Sequence, residues 1–309
     1  DNRPPIGQAP PINDTTSPES IAASENEAPQ KYTVTAGSVE AVNTSQLAEY
    51  GEVGTQAGER IEVTMSPTNV GDVENISWVT NVRPAIKSKS TTVPGSSDGE
   101  SLGVQQAHQN GITGEGVKVG IIDIGFDINN PAIASNVADV KSYRSTQGSL
   151  AHGTSVAETV VRTAPDSEIY VVSISNTLVD TERAIDYLNS QNVDVIVHSR
   201  GFAAIEDDGS HALSDNIDDA VNDGSLFVNS AGNEAQTHWE GDFRDTDGND
   251  VHEWTDSGDE LNCLPNCERE YSGDVTVFVR WNDQGQRSQY QPVLYNPVRD
   301  EYIKSGQDH

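Results

Sequence analysis

The run Val117-Lys118-Val119-Gly120-Ile121-Ile122-Asp123-Ile124-Gly125 decides how the rest of the sequence reads. Five of its first six positions are apolar or glycine, β-branched residues dominate, and an acid closes it two places before a glycine. A near-continuous apolar run belongs to a strand buried on both faces, the condition of a parallel sheet. The strand delivers the Asp123 carboxylate to the carboxyl edge of that sheet, where open α/β folds keep their chemistry. Taken alone, an acid ending such a strand is an ordinary turn residue. What changes its reading lies downstream, at His152 and Asn233.

Outward from this strand, helical and extended patterns alternate. His152-Gly153-Thr154 opens a helix with Val156, Ala157, Val160, Val161 and Ala164 at helical spacing, and Pro165-Asp166 ends it. Ile169 to Ile174 reads as a strand, Thr181 to Ser190 as a helix with Ala184, Ile185 and Leu188 inward, and Val193 to Val197 as a strand. Ser214 can cap a helix carrying Ile217, Ala220 and Val221, Gly224 can stop it, and Leu226 to Val228 leads to Ala231-Gly232-Asn233. Strands alternating with helices imply right-handed crossovers and a parallel sheet. Gly114 and Gly116 precede the central strand, whereas a dinucleotide fingerprint places its glycines after it, so that function is excluded.

Upstream, residues 1–30 carry Pro, Ser, Asn and acids without apolar periodicity, the composition of a disordered tail. Residues 31–86 read as a small domain. Tyr32 to Thr35 suits a strand, and Ser38 to Tyr50 a helix with Val42, Leu47 and Ala48 inward. Arg60 to Met65 is a strand with Ile61, Val63 and Met65 on one face, Pro67 can start a helix, and Ile76 to Val82 closes the set. The order strand, helix, strand, strand, helix, strand is the split βαβ, ferredoxin-like arrangement. Residues 87–110 begin with the Ser/Thr/Gly/Pro run KSKSTTVPGSSDGESL, a linker soft enough for proteolysis. Residues 111–240 hold the α/β unit, and 241–309 read as a β-rich insertion or incomplete module. Its strands are expected at Val275 to Trp281, Pro292 to Tyr295 and Tyr302-Ile303.

Across the 309 residues, 18 Lys and Arg face 49 Asp and Glu, a net charge of −31. That surface repels nucleic acid and anionic lipid, and it suits high ionic strength, where salt screens the self-repulsion. No run is long and apolar enough for a membrane span, and no signal-peptide pattern is present; the sequence begins at Asp1 rather than Met. Cys263 and Cys267 read as a disulfide or free thiols ahead of a zinc site, for which His252 is the only further nearby ligand. Asp245, Asp247 and Asn249 have calcium-like spacing but lack the full EF-hand pattern, so a solvated acidic turn is preferred.

Asp123, His152 and Asn233 supply a carboxylate, an imidazole and an amide in chain order. Acyl transfer needs a base for the nucleophile's proton, a carboxylate to orient that base, and donors where charge develops on the carbonyl oxygen. The segments GVKVGIIDIGFD, AHGTSVAETVVRTAPDSEIYVV, VDVIVHSRGF and GSLFVNSAGNEA resemble the subtilisin-like serine peptidases in order and spacing, over about Gly111 to Glu234. The resemblance implies an α/β fold with a parallel subtilisin-like sheet flanked by helices, an N-terminal ferredoxin-like propeptide and a C-terminal antiparallel β module. It implies that Asp123 orients His152, that His152 is general base and acid, and that Asn233 lines the oxyanion hole. Ser199-Arg200-Gly201 matches the S-x-G edge that pairs with the substrate backbone.

It further implies protein or peptide substrates, the propeptide as intramolecular inhibitor, a processing cut between Pro84 and Gly111, and a secreted, extracellular or cell-surface location. No cofactor is required by this chemistry, and a structural calcium is compatible with it. Two departures stand out. Ser155 replaces the second His of the H-G-T-H helix start, and no G-T-S-M-A nucleophile helix follows Asn233. The expectation is therefore a serine endopeptidase precursor truncated before its catalytic serine, and inactive as this fragment. The alternative is a non-catalytic peptide-binding or scaffold protein on the same fold.

Overall fold

The computed structural model describes residues 28–90, 103–144, 149–202, 205, 209, 211–233, 239–249, 251–260, 279, 293–296 and 301–304. Residues 1–27 of the expected tail, the 91–102 part of the linker, Cys263 and Cys267, and the strand expected at Val275 to Trp281, apart from position 279, lie outside the described residues, whereas Gln30 already belongs to a strand. The chain divides into two units, one within 27–233 and one continuing from 234.

Alternating apolar residues organise the first module. Strand β1 (Gln30–Ala36) is followed by helix α1 (Thr44–Leu47), β2 (Gly51–Ala57), β3 (Arg60–Met65), α2 (Val70–Glu74) and β4 (Val79–Pro84). The sheet order is β2-β3-β1-β4 with every pairing antiparallel, the split βαβ arrangement. Tyr32, Val34, Leu47, Ile61, Val63, Met65, Val73 and Ile76 form its core. Three local expectations change. The helix expected from Ser38 to Tyr50 is split, because Val42 turns extended (ψ 122°) and the chain restarts where Asn43 Oδ1 accepts the Gln46 N–H. Ala48 is consequently exposed rather than inward. The closing strand begins at Val79, leaving Ile76 to fill the core from the turn before it.

The linker is partly structured. β5 (Lys89–Ser90) is a short strand, and α3 (Val104–Gln109) a short helix. Then come β6 (Lys118–Asp123), β7 (Val137–Ser142), α4 (Ala151–Thr163), β8 (Glu168–Ser173), α5 (Leu178–Ser190), β9 (Val195–His198), β10 (Arg200–Gly201), α6 (Ala212–Asn222) and β11 (Leu226–Asn229). Five strands make one parallel sheet in the order β11-β9-β6-β8-β7, with β6 at its centre.

Both faces of the sheet are covered at its centre, which is why β6 is apolar or glycine from Val119 to Ile122. Ile122, Val172 and Ile196 pack with Ala184, Ile185 and Leu188 of α5 on one side. Val119, Ile121 and Val171 pack with Val156 and Ala157 of α4 on the other. Gly120 is required for the first contact: a Cβ there would stand 2.7 Å from both methyl carbons of Leu188. Helix α5 starts three residues before the expected Thr181, with Thr177 as its cap. Helix α6 is capped by His211, whose Nδ1 accepts the Leu213 N–H, so Ser214 lies inside the first turn; Val221 is exposed and Ala220 carries the packing.

In the second unit, residues 239–260 form turns around Trp239, Phe243, His252 and Trp254, whose rings meet at centroid distances of 4.7 to 5.3 Å. Asp245 Oδ1 accepts the amides of Gly248 and Asn249, the pattern of an acidic turn. β12 (Val293–Asn296) pairs antiparallel with β13 (Glu301–Lys304), close to the runs expected there. No helix among the described residues is long and apolar enough to cross a membrane.

Candidate active site

Parallel pairing puts the carboxyl ends of β6, β9 and β11 on one edge, and the residues singled out in the sequence follow those ends. Asp123 closes β6 and is fully buried. His152 lies in the first turn of α4, its side chain 17% exposed. Its Nδ1 is 2.7 Å from Asp123 Oδ2, and Asp123 Oδ1 accepts the Ile124 N–H at 2.7 Å. This contact depends on Gly153: a Cβ there would fall 2.3 Å from the Gly125 carbonyl oxygen and 2.9 Å from Asp123 Cβ, forcing α4 off the strand end. Thr154 fastens the same turn, donating to the Leu150 carbonyl at 2.6 Å and accepting the Asp127 amide at 2.8 Å.

Burial pushes the Asp123 carboxyl above its ordinary value, and the Ile124 amide, His152 and Arg200 each pull it back. An imidazole that donates through Nδ1 to this carboxylate is fixed in the tautomer whose Nε2 can take up a proton, the form a general base needs. Asn233 follows β11 on the same edge of the sheet and is exposed.

Ser199, Arg200 and Gly201 follow β9, and β10 pairs antiparallel with β5: Arg200 opposes Ser90 and Gly201 opposes Lys89. The other side of this segment is also held. Ser88 donates its amide to the Asn176 carbonyl at 2.8 Å, Leu178 donates to the Ile86 carbonyl at 3.1 Å, and Lys87 bridges Thr177. Residues 86–90 thus run extended between two backbone edges, where the sequence suggested only a soft linker.

The Arg200 side chain was not singled out by sequence reasoning, which used only its backbone. It is 2% exposed, and its Nη1 stands 3.7 Å from Asp123 Oδ1. Its Nε donates to Ser88 Oγ at 2.7 Å and its Nη2 to the Ser88 carbonyl at 3.3 Å. An arginine inside the apolar run VIVHSRGF was the available signal, since a cation there must find buried partners.

Residues 114–258 match the family model described as Subtilase family. This segment is a subtilase domain. The chain is 31% identical to the "Thermostable alkaline protease" of Halalkalibacterium halodurans over 43% of its own length and 40% of that protein. It is 32% identical to "Subtilisin" of Bacillus pumilus over 42% of its length and 52% of that protein. A mutant form of the Epidermin Leader Peptide Processing Serine Protease of Staphylococcus aureus superposes with a TM-score of 0.50 at 15% identity, covering 67% of this chain and 61% of that one. That likeness concerns the fold. The chain spans 38 to 52% of the length of the subtilisin relatives quoted and their near kin. Within the subtilase domain, Asp123, His152 and Arg200 are brought together by direct contacts, and Ser199, Gly201 and Asn233 lie along the same edge.

Proposed function

We propose that this chain is the precursor part of a secreted serine endopeptidase in which Asp123 and His152 activate a serine supplied outside these residues. The observation that carries the reading is the 2.7 Å contact between His152 Nδ1 and the fully buried Asp123 carboxylate. In the proposed reaction the serine hydroxyl gives its proton to His152 Nε2 as its oxygen attacks the peptide carbonyl. Asp123 keeps the tautomer and stabilises the imidazolium, without itself taking the proton. The Asn233 carboxamide donates to the oxyanion, and His152 then protonates the leaving amine. The backbone of Ser199 to Gly201 aligns the substrate by adding it as a strand.

The module of residues 31–86 acts in this reading as a propeptide and inhibitor. Residues 86–90 run between Asn176–Leu178 and β10 as an extended peptide would, so the cleft is filled by the chain's own segment. A cut between Pro84 and Gly111 would release it, and N-terminal sequencing of secreted material locates the cut. The chemistry calls for no cofactor, although a structural calcium remains compatible with it. The decisive experiment is fluorophosphonate labelling of the full-length protein. Labelling that disappears in His152→Ala is expected; absence of labelling with His152 intact would overturn the reading.

A further inference from the structure

We propose that the Arg200 side chain makes this cleft select a small hydroxyl residue, serine above all, at the substrate position occupied here by Ser88. The inference rests on the reading of residues 86–90 as standing in the substrate's place, and it adds what that substrate must carry.

Backbone pairing along β10 is blind to side chains, so any selectivity at this point has to come from groups that reach Ser88 itself. Three do. Arg200 Nε donates to Ser88 Oγ at 2.7 Å, Ser88 Oγ donates to Asn176 Oδ1, and Arg200 Nη2 donates to that same Asn176 oxygen. Arg200 Nη2 also donates to the Ser88 carbonyl at 3.3 Å, so one guanidinium reads both the main chain and the side chain of a single residue. Ser88 uses its hydroxyl once as acceptor and once as donor, which only a hydroxyl of this reach satisfies.

Two corners of the triangle are buried, and Asn176 is half-buried. Ser88 and Arg200 are each 2% exposed. The guanidinium is anchored on its far side by Asp123, 3.7 Å away, which disfavours its swinging out to admit a bulky side chain. Asn176 is held at φ 72°, a left-handed conformation that asparagine tolerates better than most residues. Alanine at the Ser88 position would leave the buried Nε–H without its acceptor, and a site built to bond a hydroxyl rejects the analogue lacking it more strongly than an apolar pocket rejects a missing methylene. Threonine adds a methyl group to an enclosed position, and leucine both clashes and removes the acceptor. Arg200 touches no reacting atom in this account; it is a specificity residue, and its contact with Asp123 ties recognition of the substrate to the carboxylate that orients His152.

Two measurements test this independently. The first uses the full-length protein and peptide substrates in which Ser, Thr, Ala and Leu are scanned through each position upstream of the scissile bond. One position is expected at which kcat/KM favours Ser over Ala by roughly tenfold or more, falling to within about twofold in Arg200→Leu. Hydrolysis with no such position, or a preference that survives Arg200→Leu, overturns the proposal. The second needs no turnover. Lys87 and Lys89 flank Ser88, so the rate of trypsin cleavage after each reports how often the segment leaves its seat. Ser88→Ala and Arg200→Leu should each speed that cleavage about tenfold, and the double variant should be no faster than either. Equal protection in wild type and Ser88→Ala overturns the proposal, and that comparison stands even if Arg200→Leu does not fold. Failure of the full-length protein to hydrolyse any peptide would sink the peptidase reading instead, while the trypsin comparison still decides the role of Arg200.

Discussion

Among the described residues, carboxylates are buried completely at the rim of the sheet and on the α5 face, and they are treated in opposite ways. At the rim of the sheet Asp123 has both oxygens engaged, one by the Ile124 amide and one by His152, with Arg200 beside it. At the face where α5 meets β2 and β3, Glu182 and Asp180 are equally buried, yet Glu182 Oε1 and Asp180 Oδ1 have no hydrogen-bond partner among the described residues. Glu182 relies on Arg60 at 2.9 Å, and the nearby Glu62 on Lys31 at 2.7 Å. Burial pushes Glu182 up to about 7, with Arg60 pulling it down only in part. Burial and the Asp180 carboxylate likewise raise Glu62. A fully bonded buried acid suits a site that must keep one geometry. An under-bonded acid suits a contact that comes apart, as the proposed release of the first module requires.

Removing the imidazole should have the largest effect. In the full-length protein His152→Ala is expected to lower kcat by about 10⁴-fold or more, and Asp123→Asn by about 10⁴-fold through the wrong tautomer. His152→Ala should leave the docking of the module unchanged, measured as trypsin protection at Lys87 and Lys89. If it unseats the module, the rim and the α5 face are one cooperative unit and the contrast fails.

Next in size is the ion pair on the α5 face. Arg60→Ala removes the cation that holds Glu182 down, so the buried acid must either stay charged alone or take up a proton, which weakens docking by up to roughly 3 kcal/mol, read from denaturant titration. The pH dependence sharpens the point. Glu182 has a folded value of about 7 against an ordinary 4.5, so its contribution is fully present below about 4.5 and is lost as pH rises through about 7. Glu62 is shifted the same way, so the module should loosen as pH rises from about 4.5 to about 7, and Glu182→Gln should flatten that slope in thermal melts.

His198 supplies a smaller effect of opposite sign. It is buried between β9 and β11 with Nδ1 2.7 Å from Asn229 Oδ1, and burial lowers its value to about 4. Its contribution is present above about 6.5 and is lost as pH falls toward 4, so His198→Leu should soften the acid limb of the melting curve while leaving the alkaline limb alone. Salt should have the smallest effect on any single contact. A net charge of −31 predicts a melting temperature that rises from low to molar salt, and a fall would remove the argument for a salt-adapted surface.

Most of the sheet was legible: β6 and β8, the buried strands, are written as apolar runs and fall within a residue of their expected limits, and so does the largely exposed β11, whereas no strand was expected at β7, whose residues alternate between half-buried and exposed. The helix expected from Ser38 to Tyr50 was not, because a local bond from Asn43 competes with helix propagation and periodicity does not register it. The cap of α6 went to His211, whose ring can accept an amide, although Ser214 is the more usual choice.

By itself the sequence determined the strand that ends in Asp123, the helix that begins at His152, and their order, since each is specified by neighbours within one turn or one strand. Only the tertiary structure decided that Arg200 turns its guanidinium inward to Ser88, Asn176 and Asp123, residues 112, 24 and 77 positions away in the chain, and that residues 86–90 lie seated rather than loose. Those contacts depend on which edges the folded sheet leaves open and on which buried charges must then find partners. Neither quantity exists until the chain has closed around them.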